Sequence, residues 1–271
     1  MVAGLLEGKR ALVCGVANQK SIAWGIAQAL HREGARLAFT CVESARRRVQ
    51  KLAAELGDVP VLACDVMNDA DIARTMDEAS EVFGGKLDIL VHSIAYARLE
   101  DLGAEFLKVD RDGWRLALEV SAYSLVALAR AARPLMIASG GGSVITITFV
   151  GGSRVVPSYN IMGVSKAALE CSMRYLAYDL GPDGIRVNAI SSGPIATMSS
   201  MVVERFDESL EVMRKKAPLL DCVSPEDIGN ATVYFGSDLS RRVTGTVAFV
   251  DSGIDTLMAG VGDHPRTRQT S

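Results

Sequence analysis

Tyr159 and Lys166 are the two residues whose types and spacing best suit chemistry in this 271-residue chain. They stand in the run Pro157-Ser158-Tyr159-Asn160-Ile161-Met162-Gly163-Val164-Ser165-Lys166. That separation is close to two helical turns, so on a helix the pair shares one face, with the Lys166 side chain leaning back toward Tyr159. An ammonium beside a phenol favours the tyrosinate and is expected to lower the tyrosine pKa. Such a phenol can give a proton or hydrogen bond to an oxygen that gains charge as hydride reaches a substrate. An amphipathic helix carries such a pair by chance often enough, so its meaning depends on the elements that position it.

Those elements alternate. Short apolar runs at 10–15, 36–40, 60–64, 87–92, 143–148, 185–190 and 247–250 read as strands buried on both faces of a parallel sheet. Amphipathic segments at 21–33, 44–56, 69–83, 114–138, 159–180 and 225–236 read as helices, several ending at glycine. Strand-helix repetition predicts right-handed crossovers and an α/β, Rossmann-type, doubly wound sheet of about seven strands with helices on both faces. With no linker or repeat in view, residues 1–271 are expected to form one domain with a mobile tail over about 260–271.

In such a fold the first strand-to-helix turn receives a dinucleotide pyrophosphate. Here it runs from Gly15 to Gly25. Gly15 permits a tight turn, Ser21 can cap the helix that starts at Ile22, and Gly25 is expected to let that helix approach the sheet. Ser21 replaces the usual middle glycine, so the motif alone is weak. After the second strand, Glu43 would repel a ribose 2′-phosphate, which favours NADH over NADPH. Arg46, Arg47 and Arg48 read either as a phosphate site or as a solvated helix face. Asp65 and Val66, after the third strand, are placed to meet an adenine. Ser93, Ile94 and Ala95, after the fourth, are small enough for close backbone approach. Met198, Met201 and Phe206 lie in a stretch read equally as a flap over an apolar ligand or as a packed helix.

Composition sets the remaining bounds. Net charge is -3 with 49% hydrophobic and 23% charged residues, a balance that gives no basic surplus for nucleic acid. No apolar run approaches the roughly 20 residues of a membrane span, and the N-terminus lacks a signal-peptide pattern, so no membrane is expected and a cytoplasmic setting is. Five cysteines lack metal-type spacing and read as small buried hydrophobes. His31, His92 and His264 have no partner at metal or triad spacing, and no metal is expected.

Taken together, Gly15, Asp65 and Tyr159-x6-Lys166 resemble the short-chain dehydrogenase/reductase superfamily from about residue 6 to residue 257. More narrowly, Gly15-x5-Ser21-Ile22, Val91-His92-Ser93-Ile94-Ala95, Val120-Ser121-Ala122-Tyr123-Ser124, Tyr159-Asn160-Ile161-Met162-Gly163 and Gly193-Pro194-Ile195-Ala196-Thr197 are similar to the NADH-dependent enoyl-acyl-carrier-protein reductases of bacterial fatty-acid synthesis. Ser121 lies where many ketoreductases of the superfamily carry an asparagine. The resemblance implies hydride transfer to C3 of a trans-2-enoyl thioester on acyl carrier protein, with Tyr159 on the enolate oxygen and Lys166 on the nicotinamide ribose. It implies cofactor contacts from Gly15, Ser21, Ile22, Val42, Asp65, Val66, Ser93, Ile94, Ala95, Val120, Lys166, Pro194, Ile195 and Thr197. It implies substrate contacts from Ala97, Phe149, Tyr159, Met162, Met198, Met201 and Phe206. A homotetramer is implied, with 117–132 and 247–260 as the apolar interfaces. Two positions depart from the pattern: Phe149 stands where a second tyrosine is usual, and Val42 where a glutamine often faces the adenine ribose. Phe149 keeps open a reductase acting on a ketone, alcohol or imine. A protein that binds the cofactor as a sensing ligand is the reading from another class, opposed by the intact Tyr159 and Lys166.

Overall fold

In a computed structural model of the chain, residues 4–103, 105–197, 206–258, 262–264 and 266–267 are described. Seven strands form one sheet: β1 (Arg10–Cys14), β2 (Arg36–Cys41), β3 (Val61–Ala63), β4 (Ile89–His92), β5 (Gly142–Phe149), β6 (Ile185–Ser192) and β7 (Val247–Val250). Their order is β3-β2-β1-β4-β5-β6-β7, and every pairing is parallel.

Strand period decides which helices cover which face. Ala11 and Val13 point to one side and Leu12 and Cys14 to the other; Val91 and Ile145 follow the first pair, Leu90 and Val144 the second. The first core is closed by α1 (Ile22–Arg32), α2 (Arg46–Ala53), α7 (Phe206–Lys216) and α8 (Pro225–Gly236). The second is closed by α3 (Asp69–Phe83), α5 (Ser124–Ala138) and α6 (Asn160–Leu180). This is the expected doubly wound arrangement.

Four expectations need correction. Gly25 serves a helix, not the sheet: a Cβ there would lie 2.5 Å from the carbonyl carbon of Pro225, and one on Gly229 would lie 2.6 Å from the Gly25 oxygen. Two glycines thus let α1 and α8 cross in contact. The helix expected over 114–138 begins earlier, as α4 (Arg111–Leu118), and passes through a π-helical segment, Glu119–Tyr123, before α5. Apolar periodicity does not reveal a one-residue change of register. This stretch, Arg111–Ala138, does reach the length and mean hydropathy (1.2) of a membrane span once a few charges are allowed, and 56% of that window is packed inside the molecule. Finally, Cys14, Cys41 and Cys64 are buried, whereas Cys171 is exposed on α6.

The apolar side chains of 117–132 are mostly spent inside the chain: Ala117, Leu125, Leu128, Ala129 and Ala132 are wholly buried. Exposed apolar surface remains at Tyr123 within that stretch and at Phe249 within 247–260, and also at Tyr175 and Tyr178 on α6. Of the segment beyond residue 260, His264 donates its backbone N–H to Lys215 O at 2.8 Å.

Candidate active site

The sheet order reverses direction between β1 and β4, so the loops leaving β1, β4, β5 and β6 gather at one end. Gly15 has φ +102, and a Cβ on it would lie 2.1 Å from Ser93 O. Only glycine lets these two loops touch. Ser93 N–H donates to Cys14 O at 3.0 Å and continues the β1–β4 ladder into the crevice. Ser21 is the N-cap of α1: its hydroxyl donates to Asn18 O (2.7 Å) and accepts from Trp24 N–H (3.2 Å). The first two amides of α1, those of Ile22 and Ala23, precede the first helical hydrogen bond, Trp24 N–H to Ser21 O at 3.1 Å, and among the described residues they have no partner, the setting in which phosphate is held.

The basic triplet divides. Arg48 Nε donates to Ala17 O at 2.8 Å and so anchors the phosphate turn, while Arg46 pairs with Glu43 at 3.5 Å and Arg47 is exposed. Glu43 keeps its carboxylate at the carboxyl end of β2, beside the exposed Val42. Asp65 is exposed after β3, with one oxygen accepting Met67 N–H at 3.0 Å; Val66 beside it is half-buried. Pro194 and Thr197 are half-buried after β6, whereas the Ile195 side chain is 5% exposed and belongs to the first core. The Ile195 side chain is therefore turned into the protein, and only its backbone is left to face the crevice. Val120, in the π-helical segment, is buried as well.

Ser121 clamps the loop after β4 from that same segment. Its hydroxyl accepts from Tyr96 N–H (2.9 Å) and donates to Tyr96 O (3.1 Å). Sulfur of the buried Met162 lies 3.9 Å from the same hydroxyl. Ala97 follows, half-buried.

Tyr159 immediately precedes α6, between two strained neighbours. Ser158 has φ +66 and Asn160 φ +39, in the left-handed region that non-glycine residues seldom occupy. Gly103 N–H donates to Ser158 O at 3.2 Å and holds that geometry. The Tyr159 ring meets Phe149 edge to face, and a Cβ on Gly151 would lie 2.6 Å from its Cδ1. Lys166 is buried and donates from Nζ to Ile147 O at 2.8 Å. Burial lowers its pKa to about 8, with Glu170, one turn on, pulling the other way. Burial likewise pushes the Tyr159 phenol well above its ordinary value. Lys166 was expected to lower the Tyr159 pKa; in the structure desolvation rules both groups and the phenol keeps its proton.

Glu170 and His92, each with hydroxyl partners, also support this centre, which their positions in the sequence do not reveal. Glu170 accepts from Thr148 Oγ1 at 2.7 Å. Buried His92 is bracketed by Thr146 Oγ1 at Nδ1 (2.9 Å) and Ser124 Oγ at Nε2 (2.8 Å). Ser124 donates its own hydrogen to Val120 O at 2.6 Å, so it accepts from Nε2–H, and Nδ1 accepts from Thr146. Burial first, and the Lys166 charge second, lower the His92 pKa to about 3. Met198 and Met201 lie outside the described residues. Phe206 opens α7, which buries Met213 in the first core. That segment is therefore a packed helix from 206 onward. Among the described residues no cluster of three metal-ligating side chains occurs.

A glycine turn at a helix N-terminus, together with a tyrosine and a buried lysine at the carboxyl end of β5, defines a nicotinamide-dependent reductase of the short-chain dehydrogenase/reductase class. A family model described as enoyl-(acyl carrier protein) reductase matches residues 15–255, and the chain belongs to that family. It is 46% identical over 251 residues to the enoyl-[acyl-carrier-protein] reductase [NADH] FabI of Bacillus subtilis, covering 92% of this chain and 96% of that one. Among solved structures, the Bacillus cereus enoyl-acyl carrier protein reductase with NADP+ and indole naphthyridinone superposes with a TM-score of 0.91 at 46% identity, over 94% of this chain and 99% of that one. The Anaplasma phagocytophilum enoyl-(acyl-carrier-protein) reductase in complex with NAD gives 0.90 at 38% identity, over 96% and 98%.

Proposed function

We propose that the chain reduces the carbon-carbon double bond of a trans-2-enoyl thioester carried on acyl carrier protein, using NADH, in fatty-acid biosynthesis. The observation that carries this reading is Tyr159, held by strained backbone at the N-terminus of α6, with Lys166 buried two turns further along the same helix. The crevice fits a dinucleotide: Gly15 leaves no room for a side chain where backbone must be approached, and among the described residues Lys166 has a single carbonyl partner for its ammonium. When bound, the nicotinamide supplies the hydride.

The chain's own residues do the rest. Gly15, Ser21 and the first amides of α1 hold the pyrophosphate, with Arg48 fixing the turn. Asp65 and Val66 face the adenine, and Glu43 disfavours a 2′-phosphate. Lys166 orients the nicotinamide ribose. Tyr159 donates its O–H to the thioester oxygen as negative charge accumulates there, an interaction stronger in the transition state than in the ground state. Phe149 places an apolar ring beside the acyl chain, and Met162 and Ala97 line the same side. The surface of Tyr123, at the end of the π-helical segment, with Tyr175 and Tyr178 on α6, is the face through which we expect a cytoplasmic homotetramer to assemble.

The test is NADH oxidation with crotonyl and longer enoyl thioesters, with NADPH alongside. Turnover of enoyl thioesters, reduced about 100-fold in Tyr159→Phe, is the expected result. Turnover of ketones with no enoyl thioester consumed would replace the reading with that of a carbonyl reductase.

A further inference from the structure

The far end of the sheet carries a second cleft. It occupies about 420 Å³ and is floored by the starts of β5 and β6 and by the residues just before β1, β4 and β7. In a parallel sheet this is the amino end of every strand, so the cleft is separated from Tyr159 and the phosphate turn by the length of the sheet.

Its charge is unbalanced. Asp88 is taken by Arg10, with Nε at 2.6 Å and a second bond at 3.1 Å, and Asp238 is met by Lys9 at 3.4 Å. Three more guanidinium groups line the cleft, those of Arg186, Arg241 and Arg242. Among the described residues none of the three has a carboxylate within ion-pairing distance. Arg186 is half-buried and donates only to neutral oxygens: Ser240 Oγ (2.8 Å), Phe235 O (2.8 Å) and Ser237 O (3.4 Å). It thereby answers the negative end of α8. The ends of α5 and α6 also approach, each worth about half a negative charge, which still leaves Arg241 and Arg242 uncompensated. A chain of net charge -3 thus concentrates positive charge in one concavity. The opposite wall is bare backbone: Gly140, Gly141 and Gly184 all have positive φ and present no side chain to obstruct a ligand.

We propose that this cleft binds a multiply charged phosphate-type anion, of pyrophosphate size or larger, between Arg241, Arg242 and Arg186. Arginine forks match phosphate oxygens, and a glycine wall allows close approach. The chemistry is shared by free pyrophosphate and by the phosphate chain of a nucleotide.

Titration calorimetry on the full chain saturated with NADH tests this, because NADH closes the cofactor crevice to the probe. Inorganic pyrophosphate and ATP are the two probes, in low salt. The expected result is one site per chain for at least one of them, weakened at least about tenfold in Arg241→Gln/Arg242→Gln. Both residues are exposed, so the variant folds, and Arg47→Gln serves as the control that leaves binding unchanged. Tighter binding of ATP identifies a nucleotide; equal binding identifies the free anion. Absence of binding by both probes, binding unaltered in the double variant, or equal heats from a monovalent anion at matched ionic strength would each overturn the proposal. A rise in unfolding temperature with pyrophosphate, lost in the double variant, is the second readout.

Discussion

The Phe149 and Tyr159 rings meet edge to face, with centroids 5.0 Å apart and planes at 66°. Phe149 ends β5 and Tyr159 precedes α6, so this contact is where the strand hands its position to the reacting phenol. An edge-on aromatic pair contributes about 0.5–1.5 kcal/mol beyond its buried area. Phe149→Ala should therefore lower kcat about 2- to 10-fold, with NADH affinity unaltered. Phe149→Tyr keeps the ring and should stay within about threefold of the parent. Steady-state kinetics with one enoyl thioester separates the two.

Lys166 predicts a pH limb. Its pKa of about 8 lies below the usual lysine value because burial penalises the ammonium. As pH rises through about 8 the free protein loses that charge, and kcat/KM should fall. Glu170 favours the ammonium, so Glu170→Gln should move the fall to lower pH while Thr148 keeps an acceptor for its hydroxyl. The same depressed pKa acts on stability in a defined direction. Between about 8 and 10.5 the unfolded chain binds more protons than the folded one, so this residue's contribution rises with pH across that window. A limb unmoved in Glu170→Gln would remove Glu170 from the account.

His92 predicts a second dependence, at acid pH. It is neutral in the fold, with its pKa lowered from 6.5 to about 3, chiefly by burial. The unfolded chain takes up a proton as pH falls below 6.5 while the folded chain does not, so stability should fall from about pH 6.5 down to 3. The urea midpoint measured against pH should show this slope. In His92→Gln the slope should be shallower, although the variant is less stable at pH 7 because the Thr146 and Ser124 hydroxyls lose their partner.

The crossing of α1 on α8 gives a packing prediction. A Cβ on Gly25 would meet Pro225 backbone at 2.5 Å, which neither helix can relieve by rotating a side chain. Gly25→Ala should cost about 1–3 kcal/mol of overpacking, read as a lowered urea midpoint. Because α1 carries the phosphate turn, its KM for NADH should rise as well. An unchanged midpoint would show that the helices slide apart without cost.

These cases show what a sequence displays and what it conceals. Alternation of β-branched runs with 3.6-period segments made the seven strands and their parallel order legible, because each signal is local. Gly15, Ser21, Tyr159 and Lys166 were legible because they sit at fixed offsets from strand ends. Arg48 on Ala17 O, Ser121 on Tyr96 and His92 between Thr146 and Ser124 were not, because their partners lie 25 to 54 residues away. The pKa directions were hidden too: helical spacing suggested that Lys166 governs Tyr159, while burial, a property of the assembled fold, governs both. Gly25 shows the same limit, since its packing partner Pro225 is brought up by the last helix.

Ser158 and Asn160, with φ of +66 and +39, have a consequence for how this chain can change over generations. Each holds a conformation that glycine would adopt freely, at a cost of order 1–3 kcal/mol per residue. Selection for stability alone would therefore favour glycine on either side of Tyr159. Such a chain would resist heat better while letting the tyrosine wander, so durability and turnover are set against each other at these two positions.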